Sequence, residues 1–343
     1  MPKVSNAICR WSSLITASLV FIVGCSEVRD SNEGVQANTD QMLATDGMSL
    51  TKVTLQLNWF PEAEHGGYYA ALVHGFFAAE GLDVEIIPGG PGSPVIQKLV
   101  ANQKTFVVGN ADQVLTGRNQ EAEVIALFAP IQMSPRCIMV HASSGIERLD
   151  ELQNMTVALS AGRAFALYMQ KKLSLEGVRV VGYSGSMAVF LNDNNFAQQG
   201  YVFSEPFIAE QQGGDPHVLM VSELGFNPYA SLLITRSDTV AAKPELVAAM
   251  VRASKLGWQT YLESPEKTNA AIHQENEEMG LEILDYGATV LKDLCLPEAM
   301  PAAQLGDMTL QRWTQLRDQL AEIELVDKNL DVSKAFTTTT GNE

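Results

Sequence analysis

Short β-like runs alternate with helical runs from residue 52 onward, and this alternation limits the possible folds of the chain more than any other feature. Strands are predicted at 53–57, 84–88, 105–108, 124–127 and 137–140, with helical segments between them. Parallel strands need a crossover connection, usually a helix, so the alternation favours parallel pairing. The pattern predicts an α/β fold with mostly parallel sheets flanked by helices.

The same alternation restarts after residue 143, with strands predicted at 156–159, 179–181, 201–203, 218–221 and 231–235 before a helical tail. Two such blocks predict a two-lobed fold with a hinged cleft, since ligands of open α/β sheets bind at the carboxyl ends of strands. We expect lobe 1 to span 52–141 and 233–330 and lobe 2 to span 142–232. The hinge is expected near 141–143 and 230–234, and residues 331–343 are predicted to be a disordered tail.

The N-terminus has the composition of an export signal. Lys3 and Arg10 precede an apolar run at 14–24, which is too short to cross a bilayer as a helix. The run ends at Cys25 in a sequence that resembles the lipobox of bacterial lipoproteins. We predict a signal peptide at 1–24, lipidation of Cys25 and a polar, flexible tether at 25–51. The alternative is an ordinary signal peptide in which the cysteine has no role.

Composition and charge limit the functional classes. Hydrophobic residues make up 46% of the 343 residues, as expected for a globular chain. A net charge of −17 disfavours binding to nucleic acid, although a local site could still take an anion. Cys137 and Cys295 could be two buried thiols or one disulfide. The chain has no CxxC pair or His/Cys cluster, so neither a metal nor a cofactor is expected.

Residues 55–86, LQLNWFPEAEHGGYYAALVHGFFAAEGLDVEI, carry an ordered motif: a strand, Asn-Trp-x-Pro, a histidine before a Gly-Tyr helix, and G-x-F-x-x-E-G-L-D-V. This stretch resembles the periplasmic binding proteins for thiamine-pyrimidine precursors and their riboflavin, sulfonate and nitrate relatives. The resemblance extends over about 52–325. It implies the type II periplasmic-binding-protein fold and a receptor that serves an ABC importer.

The first block offers a set of ligand-binding side chains at a strand end. Trp59 can stack on a flat heterocycle, and Asn58 and His65 offer donors and acceptors beside it. Tyr68 lies at the start of the following helix. The alternative is that Trp59 and Tyr68 are core aromatics and that His65 caps the helix.

Three further polar candidates follow strands that are expected to end at the cleft. Asn110 and Asp112 come after the strand at 105–108, although Asn110 could also serve as a helix cap. In the pyrimidine-binding relatives a glutamate that matches Glu205 contacts the ring, and a carboxylate there suits an amino group or ring N–H. Alternatively, Glu205 only favours the positive end of its helix.

The second block adds a loop at Ser160 and Gly162 that opens a helix. In the anion-binding relatives this place holds a phosphate or sulfonate, and Arg163 could strengthen such binding or lie at the surface. Phe226 and Tyr229 could cover the ligand or pack against the crossover strands.

The resemblance leaves several functions open. The expected function is a monomeric, extracytoplasmic lipoprotein that delivers a thiamine pyrimidine precursor or a riboflavin-like molecule to ABC permease subunits. The alternatives are a binding protein for sulfonate or nitrate, a ligand sensor, and an enzyme similar to the fungal pyrimidine synthases. The synthases need a lysine and a cysteine cluster, neither of which accompanies Trp59 and His65, and GxSxG and HExxH are absent. We therefore expect no catalytic residue.

Overall fold

The computed structural model describes residues 50–298 and 300–337, whose strands form two five-stranded sheets. The first sheet has the spatial order β2-β1-β3-β10-β4 and contains β1 (Thr51–Gln56), β2 (Leu82–Ile87), β3 (Phe106–Gly109), β4 (Val124–Phe128) and β10 (Leu232–Arg236). The second sheet has the order β7-β6-β8-β5-β9 and contains β5 (Arg136–His141), β6 (Thr156–Leu159), β7 (Arg179–Gly182), β8 (Phe196–Tyr201) and β9 (Pro216–Met220).

Helices cover the two sheets. They are α1 (Gly66–Val73), α2 (Phe76–Ala79), α3 (Val95–Val100), α4 (Ala111–Asn119), α5 (Ala164–Lys172), α6 (Ala188–Asn192), α7 (Glu205–Gln211), α8 (Ser237–Ala242), α9 (Pro244–Glu263), α10 (Glu266–Glu275), α11 (Leu281–Cys295) and α12 (Leu310–Glu322). Within the described part of the chain, no helix has the length and apolar character needed to cross a membrane.

Four strands of each sheet run in one direction, and one strand runs against them. In the first sheet β10 is antiparallel to both β3 and β4, and in the second sheet β5 is antiparallel to both β8 and β9. These two strands are the crossovers, because β5 follows β4 into the second sheet and β10 follows β9 back into the first. The predicted α/β fold with mostly parallel sheets is confirmed.

The pairing of β5 places the first boundary between the lobes earlier in the chain than predicted. The sequence predicts that lobe 1 first ends at residue 141. However, β5 pairs only within the second sheet, so the chain passes between the sheets earlier, at 129–135. The return passage lies at 221–231, before β10. We call the first sheet with α1–α4 and α8–α11 lobe 1, and the second sheet with α5–α7 lobe 2. The alternation of strands could not locate the boundary, because β4 and β5 look alike in sequence.

The first turn of α1 explains the paired glycines of the motif. A Cβ atom on Gly67 would lie 2.0 Å from the ring of Trp258, and one on Gly66 would lie 2.0 Å from the ring of Tyr261. Glycines at these positions therefore let α1 pack closely on α9. The helix predicted at 66–80 is interrupted at Gly75, whose φ of 77° is left-handed, and continues as α2.

The C-terminal segment is part of the fold up to residue 337. Residues 331–337 were predicted to be disordered, but Phe336 bridges Ala126 of β4 and its ring stacks on Trp313 at 5.6 Å. Val332 and Ala335 are also buried, so this short apolar segment completes a core around α12. Residues 338–343 lie outside the described residues. The predicted signal peptide, Cys25 and the tether up to residue 49 also lie outside them.

The two cysteines of the folded body are separate buried thiols. Cys137 in β5 and Cys295 at the end of α11 are free, and burial raises the pKa of both thiols. Of the two alternatives that the sequence left open, the buried thiols are the correct one.

A hydrogen bond between His141 and Asp215 at the edge of lobe 2 predicts a response to acid. Asp215 accepts hydrogen bonds from His141 and from the Ser143 N–H, and these bonds lower the pKa of Asp215 to about 2. A folded-state pKa below the unfolded value of about 3.9 stabilises the fold above about pH 4, and this contribution is lost as the pH falls through about 2. Urea unfolding between pH 4 and pH 2 should show a smaller loss of stability in Asp215→Asn than in the wild type. Equal pH dependence in both proteins would contradict this assignment.

Candidate functional site

A cavity of about 520 Å³ lies between the two lobes. It is bordered by residues that follow the carboxyl ends of β1, β3 and β6 and by residues near the end of β8, where open α/β sheets bind their ligands. Lobe 1 contributes Asn58, Trp59, Glu62, Glu64, Asn110 and Asp112. Lobe 2 contributes Arg136, Ser160, Arg163, Tyr183, Tyr201 and Glu205.

Trp59 forms part of the lobe 1 wall. It is half-buried, and its ring meets that of Phe60 edge to face with the centroids 5.6 Å apart. The loop at 91–93 also borders the cavity on this side. A half-buried indole that borders a cavity can stack on a flat ligand, which a core tryptophan cannot do.

His65 supports the wall from behind and does not line the cavity. Its ring is fully buried, and Nε2 lies 2.9 Å from Asn58 Oδ1 and 3.1 Å from Glu64 Oε1. Asn58 Nδ2 in turn donates to the same Glu64 oxygen at 2.8 Å. Since both atoms near Nε2 are acceptors, the proton is on Nε2. This network fixes Asn58 and Glu64, both of which reach the cavity, and the sequence prediction of direct contact by His65 does not fit this position.

Two other predicted ligand residues are also core residues. The Tyr68 hydroxyl donates to the Ser231 carbonyl at 2.6 Å, and burial raises the pKa of Tyr68. Tyr229 is buried beneath the guanidinium of Arg312, which lies 3.7 Å from its ring centroid. Neither tyrosine lines the cavity, so their predicted contact with the ligand does not fit the structure. Local sequence could not reveal this, because aromatic residues occur both on the side of an element that faces the core and on the side that faces a cavity.

Asn110 connects the two lobes. Its Nδ2 donates to the Tyr201 hydroxyl at 3.4 Å, and its Oδ1 accepts from the Ser231 N–H at 3.3 Å. It also precedes α4, where its own N–H donates to Gln113 Oε1 at 2.9 Å. Asn110 therefore precedes the helix as a cap residue and also borders the cavity, so both roles suggested by the sequence fit its position. Burial raises the pKa of the neighbouring Asp112, and the guanidinium of Arg163 opposes that rise.

On the lobe 2 side, Glu205 and Ser160 are held by neighbours. Glu205 Oε1 accepts from the Tyr183 hydroxyl and Oε2 accepts from the Tyr201 N–H, both at 2.7 Å. Ser160 exchanges two hydrogen bonds with Gln199, at 2.6 Å and 2.9 Å. Both side chains are thus oriented before any ligand arrives. Each carboxylate oxygen still has accepting capacity.

The structure adds three charged residues that the sequence analysis did not single out. Arg136, at the start of β5, lies over the rings of Phe165 and Tyr201, with its Cζ 4.7 Å and 4.0 Å from their centroids. Glu62 and Glu64 belong to the same motif as Trp59 and line the cavity in front of α1. Two acids in an otherwise apolar stretch were a usable signal for Glu62 and Glu64, whereas nothing near Arg136 in sequence marked it.

The passages between the lobes are tied to each other. The Ala230 N–H donates to the Ile131 carbonyl at 3.1 Å, and the Ser134 N–H donates to Asn227 Oδ1 at 2.7 Å. His141, at one of the predicted hinge positions, instead packs inside lobe 2 on Phe190. The segments that join the sheets are therefore 129–135 and 221–231. In the described residues, no group of histidine, cysteine and acidic side chains is suited to hold a metal ion.

Two α/β lobes joined by crossover strands, with a cavity at the strand ends between them, define a protein of the periplasmic-binding-protein fold. The periplasmic aliphatic sulphonate binding protein SsuA of Escherichia coli has a similar fold, with a TM-score of 0.65 and 13% identity over 85% of this chain and 94% of that chain. A family model described as NMT1/THI5 like matches residues 62–268, and the chain belongs to this family. The resemblance identified in residues 55–86 is confirmed.

Three relatives are similar over most of their length. The riboflavin-binding protein RibY of Chloroflexus aurantiacus is 26% identical, over 84% of this chain and 86% of RibY. A formylaminopyrimidine-binding protein of Halalkalibacterium halodurans is 22% identical, over 96% of this chain and 98% of the relative. A 4-amino-5-hydroxymethyl-2-methylpyrimidine phosphate synthase of Legionella pneumophila is 19% identical, over 84% of this chain and 91% of the synthase.

Proposed function

We propose that this protein is a non-catalytic receptor outside the cytoplasmic membrane that binds a small nitrogen heterocycle and delivers it to the permease subunits of an ABC importer. The observation that carries the proposal is the cavity bordered by half-buried Trp59 from lobe 1 and by Glu205 from lobe 2. A flat ring between these walls gains stacking on the indole and a charge-assisted hydrogen bond to the carboxylate. The names of RibY and of the formylaminopyrimidine-binding relative support a ring-containing ligand.

The proposed ligand contacts are a subset of the residues that the sequence suggested. They are Asn58, Trp59, Asn110, Asp112, Ser160 and Glu205. His65 is assigned to hold Asn58 and Glu64, and the two core tyrosines are assigned to packing. This division follows from which side chains border the cavity.

The proposed mechanism is closure of the lobes on the ligand. The segments 129–135 and 221–231 would change their backbone angles while the two sheets move as rigid bodies. The hydrogen bond between Asn110 of lobe 1 and Tyr201 of lobe 2 would then help to hold the closed form. The closed form presents both lobes to the permease, and the ligand leaves when the lobes separate.

The main alternative is an enzyme similar to the pyrimidine phosphate synthase relative. Two features favour the receptor. His65, the histidine of the motif, is fully buried behind Asn58, where it has no access to a ligand. Among the described residues that border the cavity, none is a lysine that could hold an aldehyde cofactor. A sensor on the same fold would use the same site, and its partner would be a signalling protein in place of a permease.

Export, lipid attachment at Cys25 and the monomeric state are proposals that rest on the sequence. The short apolar run ending at Cys25 supports both export and lipidation. Mass spectrometry of the mature N-terminus checks the lipid, and light scattering checks the monomer. A mature chain that begins elsewhere and lacks the lipid would contradict the anchor.

Calorimetry tests the receptor function directly. We expect riboflavin or formylaminopyrimidine to bind with a Kd in the micromolar range or tighter, about −8 kcal/mol or more. At a hundred times its Kd, a ligand should raise the free energy of unfolding by about 2.7 kcal/mol. The bound compound should be recovered chemically unchanged. Turnover of the compound, or no binding by any of the flavins, pyrimidines and sulfonates, would contradict the receptor.

A further inference from the structure

Two carboxyl groups that border the cavity have unused hydrogen-bonding capacity. Glu62 is only 5% exposed, and its carboxyl group has no hydrogen-bond partner among the described residues. Glu64 is fully buried, and its Oε1 contacts Asn58 and His65 while its Oε2 has no partner. Leaving the enclosed Oε2 of Glu64 without a partner costs free energy, so an N–H donor bound in the cavity would be stabilised there. Glu62 offers a second free acceptor.

Arg136 has the opposite chemistry in the same cavity. Its guanidinium lies over the rings of Phe165 and Tyr201, and it makes no side-chain hydrogen bond and no ion pair with the described residues. Stacking of this kind fixes a planar group and leaves its N–H donors, which lie in its plane, available. Burial and the neighbouring Glu64 and Glu205 raise the pKa of the Glu62 carboxyl group, and Arg136 is near enough to oppose that rise. The acceptors and the donors therefore belong to one site.

The balance of charge argues against an anionic ligand. Against two guanidinium groups, five acidic residues border the cavity: Glu62, Glu64, Asp112, Glu205 and Glu278. One of the two guanidinium groups, that of Arg163, interacts with Asp112. A sulfonate or a phosphate ester would have to approach unpaired carboxyl groups, which is electrostatically unfavourable in a partly desolvated site.

Resting on the proposed function, we infer that the ligand is an uncharged or protonated nitrogen heterocycle that donates N–H groups to Glu62 and Glu64 and accepts a hydrogen bond from Arg136. These three residues select against anionic ligands and phosphate esters. This selection by charge is separate from the stacking on Trp59, because an indole would stack on any flat ring.

The test uses pairs of probes that differ in charge. Calorimetry at pH 7 compares riboflavin with its 5′-phosphate, and 4-amino-5-hydroxymethyl-2-methylpyrimidine with its phosphate. Ethanesulfonate serves as a further anionic probe against the two uncharged heterocycles. We expect at least one uncharged probe to bind about tenfold or more tightly than its phosphate, and ethanesulfonate to bind more weakly than either. A phosphate or sulfonate that binds as tightly as the uncharged probe would overturn the inference. Failure of every probe to bind the wild type would overturn the proposed function, and the inference with it.

Variants then assign the selection to residues. Arg136→Met should weaken the uncharged probe about tenfold, and Glu62→Gln should weaken it about fivefold and reduce the preference over the phosphate. Glu62 is the better target than Glu64, because its carboxyl group makes no hydrogen bond that the fold needs. Glu263→Gln and Arg148→Met, which alter exposed residues outside the cavity, are the matched controls and should bind as the wild type does. Unchanged affinity and preference in both cavity variants would overturn the inference.

Discussion

Trp59→Ala is expected to weaken binding of the heterocyclic ligand by about 1–3 kcal/mol, which corresponds to a 5- to 150-fold higher Kd. The half-buried indole borders the cavity next to Asn58, and its loss removes both stacking and apolar contact area. Calorimetry with the tightest-binding probe measures the change. Because the ring also meets Phe60, a urea titration of the variant should accompany it to show that the fold is retained.

The matched control is Phe76→Ala. Phe76 is also a half-buried aromatic residue of lobe 1, and its ring stacks on His74 at 5.7 Å, but it does not border the cavity. Its replacement should change stability and leave the ligand affinity as it is. If the wild type and Trp59→Ala bind the ligand with equal affinity, Trp59 is not part of the ligand site and the proposed receptor function loses its main support.

Arg312→Met is expected to lower the free energy of unfolding by about 2–4 kcal/mol. From α12 the guanidinium donates to the carbonyl and to Oε1 of Gln132, at 2.6 Å and 3.1 Å, and to the Asn227 carbonyl at 3.0 Å. It thus joins the two segments that link the lobes, and it also stacks on Tyr229. Methionine keeps the apolar stem but leaves these acceptors without their charged donor. Urea unfolding of the purified protein measures the loss.

Arg317→Met on the same helix is the control for this prediction. Arg317 pairs with the adjacent Asp318, whose side chain is 60% exposed, and its Nη1 reaches the Leu330 carbonyl only at 3.5 Å. Surface pairs contribute at most about 1 kcal/mol, and a hydrogen bond of that length is weak. The control should therefore be close to the wild type in stability. If Arg312→Met unfolds at the same urea concentration as Arg317→Met, the link between the two segments does not stabilise the fold.

The relatives and the fold agree on the class of protein, whereas the ligand depends on details of this cavity. SsuA, named for aliphatic sulphonates, and RibY, named for riboflavin, are both similar to this chain. A shared fold does not choose between such ligands, because the function depends on the side chains at the site. In this chain those side chains include Glu62, whose carboxyl group has no hydrogen-bond partner among the described residues, and Glu64, whose Oε2 has none. Both favour an N–H donor over an anion.

Local sequence was sufficient to predict the α/β class, the two blocks and the strand ends that carry the site. Alternation of strands and helices reports on how each segment packs, so it predicted most elements of both sheets. The ordered residues of the motif at 55–86 predicted the family for the same reason, since Trp59 and its neighbours are close in sequence. The alternation could not show that β5 belongs to lobe 2, because sheet membership depends on partners that are distant in the chain.

Tertiary structure alone decided which candidate side chains face the cavity. Asn58 and His65 are seven residues apart, and both can donate and accept hydrogen bonds. Only Asn58 borders the cavity, whereas His65 is buried behind it. Arg136 became a candidate only because folding brings the rings of Phe165 and Tyr201 against its guanidinium at the cavity. Sequence specifies which groups are available. Their contact with a ligand depends on the three-dimensional arrangement of strand ends. That arrangement is fixed by packing between segments that are distant in sequence, so the local sequence of one segment does not show which other segment it contacts.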